Sequence, residues 1–145
     1  MKSRRFSRAL ACASLLSIAA MPSAASAQHI SRIIVFGDSY ADIGNALRLA
    51  GISPVSTQVY TTGRFSGGSN YVDTLSNLLQ VPQYNFAIGG ASTTGNGTAG
   101  LPGFPFEVQE FLAAGGTLGF PAVSTTLTRS DLVAVSIGGN DARYY

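Results

Sequence analysis

Three short apolar runs, each cut off by glycine, constrain this chain more than any other feature of it. Residues 30–36 end in Ile-Ile-Val-Phe before Gly37; residues 84–88 stop at Gly89-Gly90; residues 132–137 stop at Gly138-Gly139. The first run, nearly continuous and β-branched, reads as a buried strand of a parallel sheet, and the other two read as further short strands. Between them lie helical stripes. Ile43, Ala46, Leu47 and Ala50 form one, with Asp42 as N-cap and Gly51 as stop. Tyr71, Val72, Leu75, Leu78 and Leu79 form a second, entered through Ser69-Asn70 and ending before Pro82. Phe104, Val108, Phe111 and Leu112 form a third, with Glu107 and Glu110 among the outward positions and Gly115-Gly116 as its end. Residues 51–68 and 91–103 read as loops. The order strand, helix, helix, strand, helix, strand predicts an α/β sandwich with a mostly parallel sheet.

That order also predicts where chemistry would gather. In an open parallel sheet, ligands bind outside the carboxyl ends of the strands. Each run here leads directly into a polar turn: Gly37-Asp38-Ser39, Gly89-Gly90-Ala91-Ser92 and Gly138-Gly139-Asn140-Asp141. All three turns should meet at one edge. They match neither the G-x-x-x-x-G-K-[ST] nor the G-x-G-x-x-G phosphate-binding pattern, and no G-x-S-x-G elbow is present.

Residues 1–27 read differently. Lys2, Arg4, Arg5 and Arg8 precede an apolar stretch that ends in Ala25-Ser26-Ala27, the anatomy of a cleavable secretory signal peptide. The stretch is too short to span a bilayer, and no later segment is a transmembrane candidate. A secreted, periplasmic or cell-surface location is therefore expected. From residue 28 onward, five arginines face seven acidic residues, a net charge of −2, so the basic balance belongs to the leader and a nucleic-acid partner has no compositional support. The single cysteine, Cys12, lies in the leader, and His29 is the sole histidine. Neither a disulfide nor a cysteine- or histidine-rich metal site is expected, nor any cofactor.

Gly37-Asp38-Ser39-Tyr40-Ala41-Asp42 resembles the first block of the GDSL, or SGNH, hydrolases, with Tyr40 where that family usually has Leu. Asn85-Phe86-Ala87-Ile88-Gly89-Gly90 is similar to its second block and Gly138-Gly139-Asn140-Asp141 to its third. Gly63-Arg64-Phe65-Ser66 resembles a segment of the lecithinase/haemolysin-like branch. The resemblance implies a flavodoxin-like three-layer α/β/α sandwich and hydrolysis of esters of lipids, small acyl groups or acylated carbohydrates. It implies Ser39 as nucleophile, with the backbone N–H of Ser39, that of Gly90 and the side-chain amide of Asn140 as oxyanion donors. The residues themselves are compatible with those roles. A serine just past a strand is held rigid and exposed, though it needs a base to become a good nucleophile. Gly90 lets backbone approach a substrate closely, as Gly89 also would. Asn140 offers an uncharged donor to an oxygen that becomes negative only in the transition state. The bland alternatives are a capping serine, an ordinary turn glycine and an Asx-turn. Asp38, Asp42 and Asp141 read as structural, and Arg64 as the partner of a loop hydrogen bond or ion pair.

The family's base comes from a late Asp-x-x-His block, which this sequence lacks. His29 precedes the first strand while Ser39 follows it, so roughly 16 Å of strand separates the two ends. Residues 28–145 are therefore expected to be the N-terminal part of such a domain, truncated at the C-terminus and without substantial esterase activity by itself. A non-catalytic lipid- or carbohydrate-binding module of the same fold, or an autotransporter passenger segment, remain alternatives. Acyl and alcohol specificity and oligomeric state are not written in these residues.

Overall fold

The computed structural model describes residues 29–52 and 60–144. The expected leader at residues 1–27 and part of the loop at 51–68 lie outside these described residues. Strand β1 (Arg32–Gly37) is the centre of a three-stranded sheet, with β2 (Gln83–Asn85) on one side and β3 (Asp131–Ser136) on the other, both parallel to it. The order β2-β1-β3 is that of the first three strands of a flavodoxin-like sheet. Ile34 pairs with Tyr84 and with Val133 across the two ladders. Hydrogen bonding to β1 continues past Asn85: Phe86 N–H reaches Val35 O at 2.8 Å and Ile88 N–H reaches Gly37 O at 3.0 Å.

The continuous apolar run of β1 has the predicted consequence. Ile33, Ile34 and Val35 are completely buried, because alternate residues meet a layer on each face. Ile34 and Phe36 join Phe86, Ile88, Phe111 and Phe120 on the side of helix α3 (Phe104–Leu112). Ile33 and Val35 join Val72, Leu75 and Leu132 on the side of helix α2 (Tyr71–Leu79). The chain is thus a three-layer α/β/α arrangement in which each fully buried Ile, Val or Phe contributes about 1.5–3 kcal/mol. The α3 face is aromatic: Phe36, Phe86 and Phe111 meet pairwise with ring centroids 5.7–5.8 Å apart.

Local sequence sets the helix ends. Asn70 caps α2 by accepting Val72 N–H and Asp73 N–H, and Asp73 returns a bond to Asn70 N–H at 2.9 Å, a reciprocal capping box. The N-cap of helix α1 (Asn45–Leu49) is Gly44, in a left-handed turn, and not Asp42 as expected: the Asp42 carboxylate reaches forward from two residues earlier to Gly44, Asn45 and Ala46 N–H. At the far end of the sheet, Arg32 forms a paired ion contact with Asp131 at 2.7 and 2.8 Å, across the β1–β3 register. The guanidinium holds the Asp131 carboxyl down at about 2.

Three further expectations need correction. Glu107 and Glu110 are not outward: Glu107 is fully buried, and Glu110 is buried with Thr117 donating to it at 2.6 Å. The physical reason for Glu107 is a demand from the sheet, developed below. The second stripe is only partly used, since Val72 and Leu75 meet the core while Leu78 is 77% exposed and Leu79 39%. Finally, the third glycine turn does not stay a turn but opens a short helix α4 (Gly139–Tyr144), with Asp141 in its first turn.

Candidate active site

The carboxyl edge of the sheet gathers the three turns. Ser39 follows β1, Gly90 follows the β2 ladder, and Asn140 sits in the first turn of α4 after β3. All three line one cavity of about 560 Å³, together with Tyr40, Phe65, Tyr71 and Arg143. That volume falls within the range of small-molecule sites. The cavity lies where the strand order reverses, between the ends of β1 and β3 and beside that of β2. His29, by contrast, is exposed ahead of β1, at the opposite end of the strand.

Carboxylates, two of them buried, hold the turns in place through backbone N–H groups. Asp42 accepts from Gly44 and Asn45, each at 2.6 Å, from Ala46 at 3.0 Å, and from Gly89 N–H at 2.6 Å. It therefore joins the turn after β1 to the turn after β2. Asp38 accepts Tyr40 N–H at 3.1 Å, and the backbone of Gly139, at the start of α4, lies near enough to favour its charged form. Burial raises its carboxyl above the ordinary carboxylate range, against the pull of those N–H donors. Asp141 accepts Thr93 N–H and the Thr93 hydroxyl, the latter at 2.6 Å. These aspartates are structural, as read from the sequence.

Amides complete the frame. Asn45 Nδ2 donates to Asn85 O and Ala87 O, while Asn70 Nδ2 and Asn85 Nδ2 both donate to Ala41 O at 2.9 Å. Arg64 makes an ion pair with Asp73, which Gln83 also reaches at 2.8 Å, so its role is the loop contact expected of it.

The two candidate glycines are separated by their hydrogen bonds. Gly89 N–H is taken by Asp42, and the Phe65 ring lies against its Cα so closely that an added Cβ would stand 2.0 Å from a ring carbon. Gly90 N–H has no acceptor among the described residues, whereas its carbonyl is pinned by Thr98 N–H at 2.8 Å. Gly90 has φ +88°, and a Cβ there would meet Thr98 Oγ1 at 2.3 Å, so this position requires glycine. Asn140 Nδ2 donates one N–H to Ala91 O at 2.7 Å; an amide nitrogen carries a second. Ser39 is half-buried on the cavity wall.

Several cavity residues had no signal in the sequence reading. Tyr40, 72% exposed, stands out in the sequence only as a departure from Leu. Phe65 belongs to the Gly63-Arg64-Phe65-Ser66 segment, whose resemblance was the available hint. Tyr71 reads from the sequence only as part of the α2 stripe, and Arg143 lies on a helix that the sequence does not announce. Burial raises the Tyr71 phenol, while its contact with Ser136 works the other way. Among the described residues no histidine or carboxylate lines the cavity, and no group of three His, Cys, Asp or Glu gathers to hold a metal ion. No helix among them is long and apolar enough to cross a membrane.

Comparison with known proteins agrees with the motif order. The family model described as GDSL-like Lipase/Acylhydrolase matches residues 33–145. A GDSL esterase/lipase of Arabidopsis thaliana is 34% identical over 94 residues, a match covering 57% of this chain but 25% of the plant protein. The chain thus spans about a quarter of the curated relative's length. Three ordered blocks on the carboxyl edge of a β2-β1-β3 sheet, and a match reaching from the first strand to the last residue, place this chain in the GDSL-like lipase/acylhydrolase family.

Proposed function

We propose that this chain carries the nucleophile and oxyanion donors of an exported carboxylic ester hydrolase. The observation that carries the reading is the division of labour between two adjacent glycines. Gly89 N–H is taken by Asp42, whereas Gly90 N–H is without an acceptor among the described residues and lines the same cavity as Ser39 and Asn140. In the proposed reaction Ser39 Oγ attacks the ester carbonyl. The backbone N–H of Ser39, that of Gly90 and the remaining Asn140 amide N–H stabilise the oxyanion. Asp38, Asp42 and Asp141 are committed to backbone or Thr93 donors, so none of them serves as base. The base is assigned to an Asp-x-x-His segment beyond these residues. Esters are the substrate class, and residues 1–27 are the export signal.

The test is labelling of the protein, with any Asp-x-x-His segment its gene encodes, by a fluorophosphonate probe. Ser39→Ala should abolish labelling and turnover of p-nitrophenyl butyrate, and undiminished labelling of the variant would refute the assignment. A second reading, a ligand-binding module without catalysis, is favoured by one observation: no base lines the described cavity. It requires ester binding without turnover even when the downstream segment is present.

A further inference from the structure

Glu107 is the most unusual residue in the core. It projects from the middle of α3 into an aromatic face, is completely buried, and lies 70 residues from Gly37 and 19 from Ile88, the two residues it binds. Its Oε2 accepts Gly37 N–H at 2.7 Å and its Oε1 accepts Ile88 N–H at 3.1 Å. Ile88 N–H also reaches Gly37 O at 3.0 Å, so the carboxyl sits on the last rung between β1 and the β2 ladder. Beyond that rung the two backbones part, one toward Ser39 and the other toward Gly90. Where the strands part, Gly37 N–H has no acceptor on a neighbouring strand among the described residues, and in a dry interior such a group needs one; Ile88 N–H is shared between Gly37 O and Glu107.

A carboxyl group is a costly acceptor here. Burial, with Asp42 and Asp38 adding repulsion, pushes Glu107 up to about 8 despite the two N–H donors. Those two aspartates hold the neighbouring turns, Asp42 on Gly89 and Asp38 on Tyr40. Glu107 is the third member of the frame and the one that grips the strands immediately before both turns diverge.

Resting on the ester-hydrolase reading, we propose that Glu107 is a positioning residue that fixes the separation of the nucleophile turn at Ser39 from the oxyanion turn at Gly90. It touches no substrate. Its two oxygens hold Gly37 and Ile88 at a set distance, and an error of about 1 Å at such a site costs on the order of 10²-fold in rate.

Two measurements test this. In the first, labelling of Ser39 by a fluorophosphonate, in the protein together with any Asp-x-x-His segment its gene encodes, is resolved into the limiting acylation rate and the probe concentration for half-maximal rate. Glu107→Gln keeps the shape but only one acceptor, and should lower the limiting rate by about 10- to 100-fold while half-saturation stays within about twofold. Ile33→Val, a core truncation at the far end of β1, should leave both values near wild type. A folded Glu107→Gln protein with the wild-type limiting rate overturns the proposal. In the second, amide resonances of the 15N-labelled wild-type protein are followed from pH 5 to pH 10. Gly37, Ile88, Ser39 and Gly90 should shift with one common midpoint. Movement of Gly37 and Ile88 without Ser39 and Gly90 overturns the proposal, and this arm decides the matter even if Glu107→Gln does not fold. Failure of Ser39 to be labelled in wild type refutes the hydrolase reading instead, and leaves the resonance measurement standing.

Discussion

Replacing Asp42 by Asn should cost far more than the loss of an ordinary helix cap. Its carboxylate accepts four backbone N–H groups: Oδ1 serves Gly44 and Asn45, and Oδ2 serves Ala46 and Gly89. Asparagine keeps one oxygen and places an NH2 where the other stood, so either pair of donors faces a donor. If the Gly44–Asn45 pair is kept, Ala46 and Gly89 N–H are left buried and unpaired. At about 1–3 kcal/mol for each such group, the loss is about 2–6 kcal/mol. A helix N-cap alone is worth only about 1 kcal/mol. Against a typical stability of about 5–15 kcal/mol, the variant should remain foldable but markedly weakened. Urea titration followed by circular dichroism should show a lower midpoint at unchanged slope. Hydrogen exchange at Gly89 should accelerate more than exchange at Ile33, which lies on the far side of β1. A loss below about 1 kcal/mol, with Gly89 still protected, would refute the claim that Asp42 joins the two turns.

Asn140→Ala should lower kcat about 10²- to 10³-fold with little change in KM, as for other single oxyanion donors; steady-state kinetics on the active protein decides it, and a normal kcat would leave Asn140 only its bond to Ala91. The pH dependence of stability is set from opposite sides by Glu107 and Asp131. Glu107 is raised from 4.5 to about 8, so its contribution is complete below about pH 4.5 and is lost as pH rises toward 8. Asp131 is lowered from 3.8 to about 2, so its contribution holds above about pH 4 and is lost as pH falls toward 2. Urea midpoints should therefore peak near pH 4 to 5, and Glu107→Gln should flatten the alkaline limb; a midpoint that rises steadily from pH 5 to 8 would contradict the Glu107 assignment, and one unchanged from pH 4 to 2 that of Asp131.

Much of this was legible because some residues have only one comfortable place. The Ile-Ile-Val-Phe run can be buried on both faces only in a covered strand, and the three glycine turns follow from strands that must end at one edge. Helix α3 and the capping box of α2 were equally readable, since periodicity and Asn70 are local signals. What was missed depends on distant partners. Glu107 sits at an outward-looking position of its own helix, and only the backbone N–H groups of Gly37 and Ile88, distant in sequence, draw it inward. Glu110 is buried beside Thr117 for a similar reason. What sets Gly89 apart from Gly90 is an aspartate 47 residues away from it in the chain. Helix α4 was hidden because Gly-Gly-Asn-Asp is good turn chemistry and nothing in it announces a helix.

The central place of β1 has a consequence for synthesis. Among the described residues it is the first strand made, yet its two neighbours come much later: Gln83 opens β2 and Asp131 opens β3. At roughly 5–20 residues per second, about 2–9 s pass between Gly37 and Gln83 on the ribosome, and about 5–19 s before Asp131. During that interval Ile33, Ile34, Val35 and Phe36 form an apolar, β-prone, uncharged stretch with no native strand to pair with. Arg32 and Asp38 stand immediately on either side of the Ile33–Gly37 stretch. In the folded protein one grips Asp131 and the other supports the Ser39 turn, while in the nascent chain the same two charges act as gatekeepers against association with a neighbouring chain.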